Sequence, residues 1–212
     1  MKITKLEHSC LLVEMPAPVN RTALFDPGVM SEPYIDADSL EYLDDIFITH
    51  SHADHMSVPL IKRLREKFPD VRITGPRQVV AQLKQEGVEA TTEEPDGVVF
   101  FDSKHEKVQP LFEPPEEIGV HYLDMLSHPG DSHSFQETKA ILALPVTAPW
   151  GSMVNAVKLG IQLHPEYIVP IHDWHWRDEA RTQAYDMLEK VFAAEGIKFL
   201  KLENGKPVTI DL

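Results

Sequence analysis

Short apolar, β-prone runs punctuate the opening of the chain at residues 2–6, 10–15, 22–25 and 45–49, separated by "MPAPVN" and "DPG". Runs of this kind, bounded by Pro, Gly and Asn, predict adjacent strands joined by turns. At Ser57 the periodicity changes. Ser57 suits a helix N-cap, Pro59 is tolerated in the first turn, and Leu60, Ile61, Leu64 and Phe68 recur on one face until Pro69 stops the helix. A second helix is predicted over 77–85, with Gly87 as its stop.

The same alternation of periods runs to the end of the chain. Strands are predicted at 71–74, 98–102, 119–123, 139–144 and 167–171, and helices at 152–163 and 177–194. No repeat, Gly/Ser linker or abrupt shift in composition divides the sequence, so a single mixed α/β domain over 1–212 is expected. The stretch "EKVQPLFEPPEEIG", residues 106–119, carries three prolines that disfavour regular ladders. It reads as a surface loop, with a lid as the alternative.

Between the apolar run Ile46-Phe47-Ile48 and the first helix lies "THSHADH", which holds His50, His52, Asp54 and His55. Clustered histidines have little packing advantage, whereas imidazole nitrogen and carboxylate oxygen together suit Zn, Mn or Fe. Past a strand end, His50 and His52 alternate onto one side, and Asp54 and His55 follow as the chain turns toward Ser57. Two adjacent ligand sets can therefore share one segment.

Charge and cysteine content narrow the chemistry. The formal net charge is -14, from 34 acidic against 20 basic residues, and no basic cluster interrupts it, which disfavours long nucleic acids as partners. Bound divalent cations would still make a pocket locally positive, so a small anionic substrate remains compatible. The lone cysteine, Cys10, excludes an internal disulfide and a thiolate-rich zinc site, and points to a reducing cytosol. Neither a signal peptide nor a membrane-spanning run is visible. A cytoplasmic protein with a small-molecule substrate is expected, and a homo-oligomer stays open.

"THSHADH" matches H-x-H-x-D-H, and here the sequence resembles the metallo-β-lactamase-fold hydrolases. "KITKLEHSCLLVE" is similar to the opening hairpin of that family, "ALFDPG" to its aspartate turn, "SHPGDS" to its Gly-Asp segment and "YIVPIH" to its final ligand strand. The order and spacing resemble the small branch that includes ascorbate-6-phosphate lactonase. The resemblance implies a four-layer αββα sandwich with two divalent metals at one edge, Zn first and Mn or Fe as alternatives.

By the same resemblance, His50, His52 and a further histidine would hold one metal, Asp54, His55 and His172 the other, and Asp131 would bridge them. His105, following "VVFFDSK", is the favoured third histidine, and His121 is its competitor. His8 and Asp26 match positions that orient ligands through hydrogen bonds. His133, His164 and His175 have no motif support, and Trp174 and Trp176 read as packing or rim residues.

The implied activity is hydrolysis of a lactone, ester, amide or phosphodiester by a metal-bound hydroxide. Asp54 would orient the nucleophile, and His128 or a metal-bound water would protonate the leaving group. No G-x-S-x-G or paired Cys/His motif offers a covalent nucleophile. The alternatives are a di-iron redox protein of the same fold and a metal-stabilised binding protein without turnover.

Overall fold

The computed structural model describes residues 1–107 and 113–211. Part of the 106–119 loop, residues 108–112, lies outside the described residues. Elsewhere the stretch 113–118 has no regular structure, and Gly119 already opens a strand. The chain divides into two compact units: Met1–Glu94 joined by the carboxy-terminal stretch from Leu202, and Pro95–Lys201.

The first unit holds β1 (Lys2–Lys5), β2 (Leu11–Met15), β3 (Arg21–Phe25), β4 (Asp45–Phe47), β5 (Arg72–Thr74) and β12 (Pro207–Thr209), in the sheet order β12-β1-β2-β3-β4-β5. The β1–β2 and β2–β3 pairs are antiparallel, while β3–β4 and β4–β5 are parallel. Register aligns Leu12, Leu24, Ile46 and Ile73 in one cross-strand row. That row packs with Leu60, Ile61 and Leu64 of α1 (Val58–Lys67) and with Val79 and Leu83 of α2 (Arg77–Gln85). The next row, Leu11, Phe25 and Phe47, points to the opposite face by the alternation of a strand and is fully buried too. This two-sided burial explains why "IFI" reads as an unbroken apolar run.

Ser57 caps α1 as the sequence predicts, its hydroxyl accepting from Leu60 N at 3.3 Å. Two short 3-10 helices, Glu32–Tyr34 and Ala37–Ser39, fill the β3–β4 connection. The sequence pattern did not predict them, because a single turn carries no hydrophobic period.

The second unit holds β6 (Val98–Phe101), β7 (Gly119–Tyr122), β8 (Leu126–His128), β9 (Ile141–Pro145), β10 (Tyr167–Ile171) and β11 (Lys198–Phe199), ordered β11-β10-β9-β8-β7-β6. Leu142 pairs with Ile168, and Ile168 with Phe199. These residues pack with Ala156 and Leu159 of α3 (Met153–Leu163) and with Tyr185, Leu188 and Phe192 of α4 (Asp178–Ala194). Trp176 lies partly buried against this cluster, whereas Trp174 is 44% exposed.

The structure adds β8, β11 and β12 to the predicted strands and moves the strand expected at 139–144 to Ile141–Pro145. Each added strand has two or three residues, too few for alternation to register. His128, in the "SHPGDS" segment, ends β8 opposite Val120. Each unit thus presents a mixed sheet with helices packed on it. Among the described residues, no helix is long and apolar enough to cross a membrane.

Candidate metal centre

In the first unit, parallel pairing of β3 and β4 brings two strand ends together. Asp26 N donates to Phe47 O at 2.8 Å, so the turn after β3 sits beside the segment that leaves β4. The fully buried Asp26 carboxylate accepts from Thr49 N at 2.7 Å and from Thr49 Oγ1 at 2.8 Å, and its Oδ2 lies 2.8 Å from His55 Nδ1. A carboxylate only accepts, so His55 carries its ring proton on Nδ1 and keeps the Nε2 lone pair.

The same logic fixes His50. Thr49 gives its single hydroxyl proton to Asp26, so at 3.1 Å its oxygen accepts from His50 Nδ1. His50 Nε2 is then the lone-pair nitrogen, 3.1 Å from His52 Nδ1. Asp26 therefore orients one imidazole directly and another through Thr49.

His8 follows β1, and its Nε2 lies 3.1 Å from Asp54 Oδ2. His8, Asp54 and His55 each offer a ligand atom within 4.8 Å of the other two. The family resemblance implies only an orienting part for His8; its position makes it a candidate donor as well. His8 and Asp26 have φ of 52° and 44°, a left-handed backbone that non-glycine residues seldom adopt. Local strain of this kind aims both side chains into the loop carrying His50 to His55. Gly28 completes the turn, and a Cβ on it would stand 1.8 Å from Asp54 O.

The second unit assembles His105, Asp131 and His172. Asp131 Oδ2 lies 3.0 Å from His172 Nε2 and 3.6 Å from His105 Nε2, with the Asp131 and His172 side chains nearly inaccessible. His172 Nδ1 sits 2.8 Å from Thr147 O and His105 Nδ1 2.7 Å from Glu106 O. Carbonyl oxygens only accept, so both rings carry the proton on Nδ1 and direct an Nε2 lone pair toward a carboxylate oxygen. Two lone pairs facing each other at 3.0 Å repel unless a proton or a metal cation stands between them. The donor set therefore fits a divalent cation.

His172 ends β10 with φ of 62°. The next residue, buried Asp173, accepts from Tyr185 Oη at 2.5 Å and pairs with Arg181 Nε at 3.2 Å, which ties the strand end to α4. Asp131 N donates to Glu117 Oε2 at 2.9 Å, and Trp150 Nε1 donates to Asp131 Oδ2 at 3.2 Å. No sequence signal singles out Thr49, Glu117 or Trp150: Thr49 lies within "THSHADH" but supplies no imidazole or carboxylate, and its link to Asp26, like those of Glu117 and Trp150 to Asp131, joins separate segments of the chain.

His121 lies elsewhere in this unit, within β7. Its ring stacks on Phe101 at 4.2 Å and its Nδ1 is 2.8 Å from Ser127 Oγ. Burial holds its pKa below the ordinary histidine range. His128, also fully buried, accepts a long 3.4 Å hydrogen bond from Gly130 N at Nδ1, so its proton sits on Nε2, the reverse of His105 and His172. Cys10 is buried, and burial raises its thiol pKa well above the usual value, which leaves an unreactive thiol.

The chain is 31% identical to Protein Rv0786c of Mycobacterium tuberculosis over 202 residues, covering 90% of this chain and 92% of that protein. It is 32% identical to the cytidine monophosphate-N-acetylneuraminic acid hydroxylase of Xenopus laevis over 106 residues, 43% of this chain but only 17% of that protein. The structure of Igni18, a metallo hydrolase from the archaeon Ignicoccus hospitalis, superposes with a TM-score of 0.73 at 20% identity, covering 100% of this chain and 98% of that one. A family model described as the beta-lactamase superfamily domain matches residues 2–172, and the chain belongs to that superfamily, with the metallo-β-lactamase fold.

Proposed function

We propose that the chain is a binuclear metal-dependent hydrolase of a small-molecule lactone, ester, amide or phosphodiester. His50, His52 and His105 hold one divalent cation, Asp54, His55 and His172 the other, and Asp131 serves both. The observation that carries this reading is a shared tautomer. His50, His55, His105 and His172 each place Nδ1 on an oxygen and keep the Nε2 lone pair for a ligand bond. Membership of a superfamily with named metal-dependent hydrolases supports the same class.

When bound, the cations supply an acidified water as nucleophile and polarise the scissile bond. Asp54, braced by His8, orients the attacking water. His128, with its proton on Nε2, donates to the leaving group. Zn is the first choice for a nitrogen-rich set, with Mn or Fe next. Elemental analysis of protein loaded with each metal, followed by a hydrolysis screen over the four bond classes, tests the proposal. Close to two cations per chain and turnover of one class are expected. A chain that takes up no transition metal sinks it.

The partial match to a hydroxylase supports a second reading, an iron protein with redox chemistry on the same ligands. Iron retained through purification, with absorbance that responds to reductant and no hydrolysis in the screen, would favour it. The acidic charge supports small molecules over nucleic acid as partners, and the single cysteine is compatible with a cytoplasmic setting.

A further inference from the structure

Trp150 lies beyond β9, in the loop that leads to α3, and the sequence gives no reason to single it out. Its ring is held on two sides. His133 stands edge-on at 5.1 Å and His172 at 5.4 Å between ring centroids. His133 is itself pinned, with Nε2 2.8 Å from Pro145 O at the end of β9. Gly151 leaves room for this arrangement, since a Cβ there would come within 3.2 Å of the His133 ring. Trp150 therefore has little freedom to turn, and its Nε1 points at Asp131 Oδ2 from 3.2 Å.

An indole N–H is a donor only, so it fixes a lone pair of that oxygen and with it the plane of the carboxylate. The same oxygen is 3.0 Å from His172 Nε2 and 3.6 Å from His105 Nε2. Glu117 holds the backbone N–H of Asp131 at 2.9 Å, but that contact leaves the side-chain torsions free. Trp150 thus constrains the carboxylate's orientation from a side chain that offers no lone pair to a metal.

We infer that Trp150 is a positioning residue for the metal centre: its indole N–H orients Asp131 so that Oδ2 meets the cation held by His172. The inference rests on the reading of Asp131 as a metal-binding carboxylate.

Trp150→Phe keeps an aromatic ring between His133 and His172 and removes the N–H. Stepwise Zn titration against a competing chelator, read beside the melting temperature of the metal-free protein, tests the inference. The variant is expected to weaken one metal step on the order of 10- to 100-fold, as loss of a hydrogen bond to a ligand does. Metal-free melting should stay near the wild type, and kcat should fall more than KM changes.

A second measurement does not depend on how the variant folds. With Trp174→Phe and Trp176→Phe, Trp150 is the remaining tryptophan, and its emission should change as Zn is added, because the charge facing its N–H is redistributed. Two metals bound by Trp150→Phe at wild-type affinity, or emission from Trp150 indifferent to Zn, overturns the inference alone. A wild-type chain that binds no Zn overturns the reading beneath it, and the inference falls with it.

Discussion

Asp26 Oδ2 lies 2.8 Å from His55 Nδ1, and both side chains are fully buried. The pair explains how a loop end can hold an imidazole in one tautomer. Asp26→Asn preserves the shape but offers either an amide nitrogen or a weaker acceptor to a donor that needs a carboxylate. Metal affinity is expected to fall on the order of 10- to 100-fold, measured by chelator competition. Thr49→Val should lose affinity in the same direction, because it cuts the path from Asp26 to His50. Wild-type affinity in both variants would remove Asp26 from the site.

His105→Ala and His121→Ala separate two histidines that the sequence left in competition. The first is expected to bind one cation fewer, by elemental analysis. The second should keep both metals while melting earlier, since it loses the Phe101 stack and the Ser127 hydrogen bond, about 1 to 3 kcal/mol together. Loss of a metal by His121→Ala, with both retained by His105→Ala, would reverse the assignment.

Stability should depend on pH through His121. Burial, and then the charge of Lys139, hold its folded pKa below the unfolded value of about 6.5. The unfolded chain therefore binds more protons between the folded pKa and about pH 6.5, and stability falls as pH drops through that window. His133, also lowered by burial, acts with the same sign. Urea melts of the metal-free protein should show a shallower decline between pH 7 and 5 for His121→Asn than for the wild type. Equal slopes would mean that His121 titrates normally.

Gly28→Ala tests the backbone contact under Asp54. The added methyl would meet the carbonyl of Asp54 at 1.8 Å, so the loop carrying Asp54 and His55 must shift. Destabilisation of about 1 to 3 kcal/mol and a weakened metal site are expected, read by thermal melting with and without Zn. An unchanged melting temperature would show that the two turns do not press on each other.

The sequence by itself determined the elements with enough length to show a period, and the chemistry of one segment. A short unbroken apolar run placed the strand before His50, a three-to-four residue period placed the helix after Ser57, and spacing marked His50, His52, Asp54 and His55 as a donor cluster. The tertiary structure alone decided what lies beside that chemistry. Asp26 meets Thr49 and His55 because β3 and β4 pair in parallel with their ends level, and register is a relation between strands that neither strand encodes alone. The left-handed backbone at His172 and Trp150 Nε1 reaching Asp131 across nineteen residues depend on how distant segments pack. Likewise, His121 belongs to a Phe101 and Ser127 environment because its place in β7 pairs it with Ser127 and Val99. Local patterns follow from chain geometry, which repeats every few residues. Contacts between segments far apart in sequence follow from burial and hydrogen bonding in the folded chain, which leave no such period.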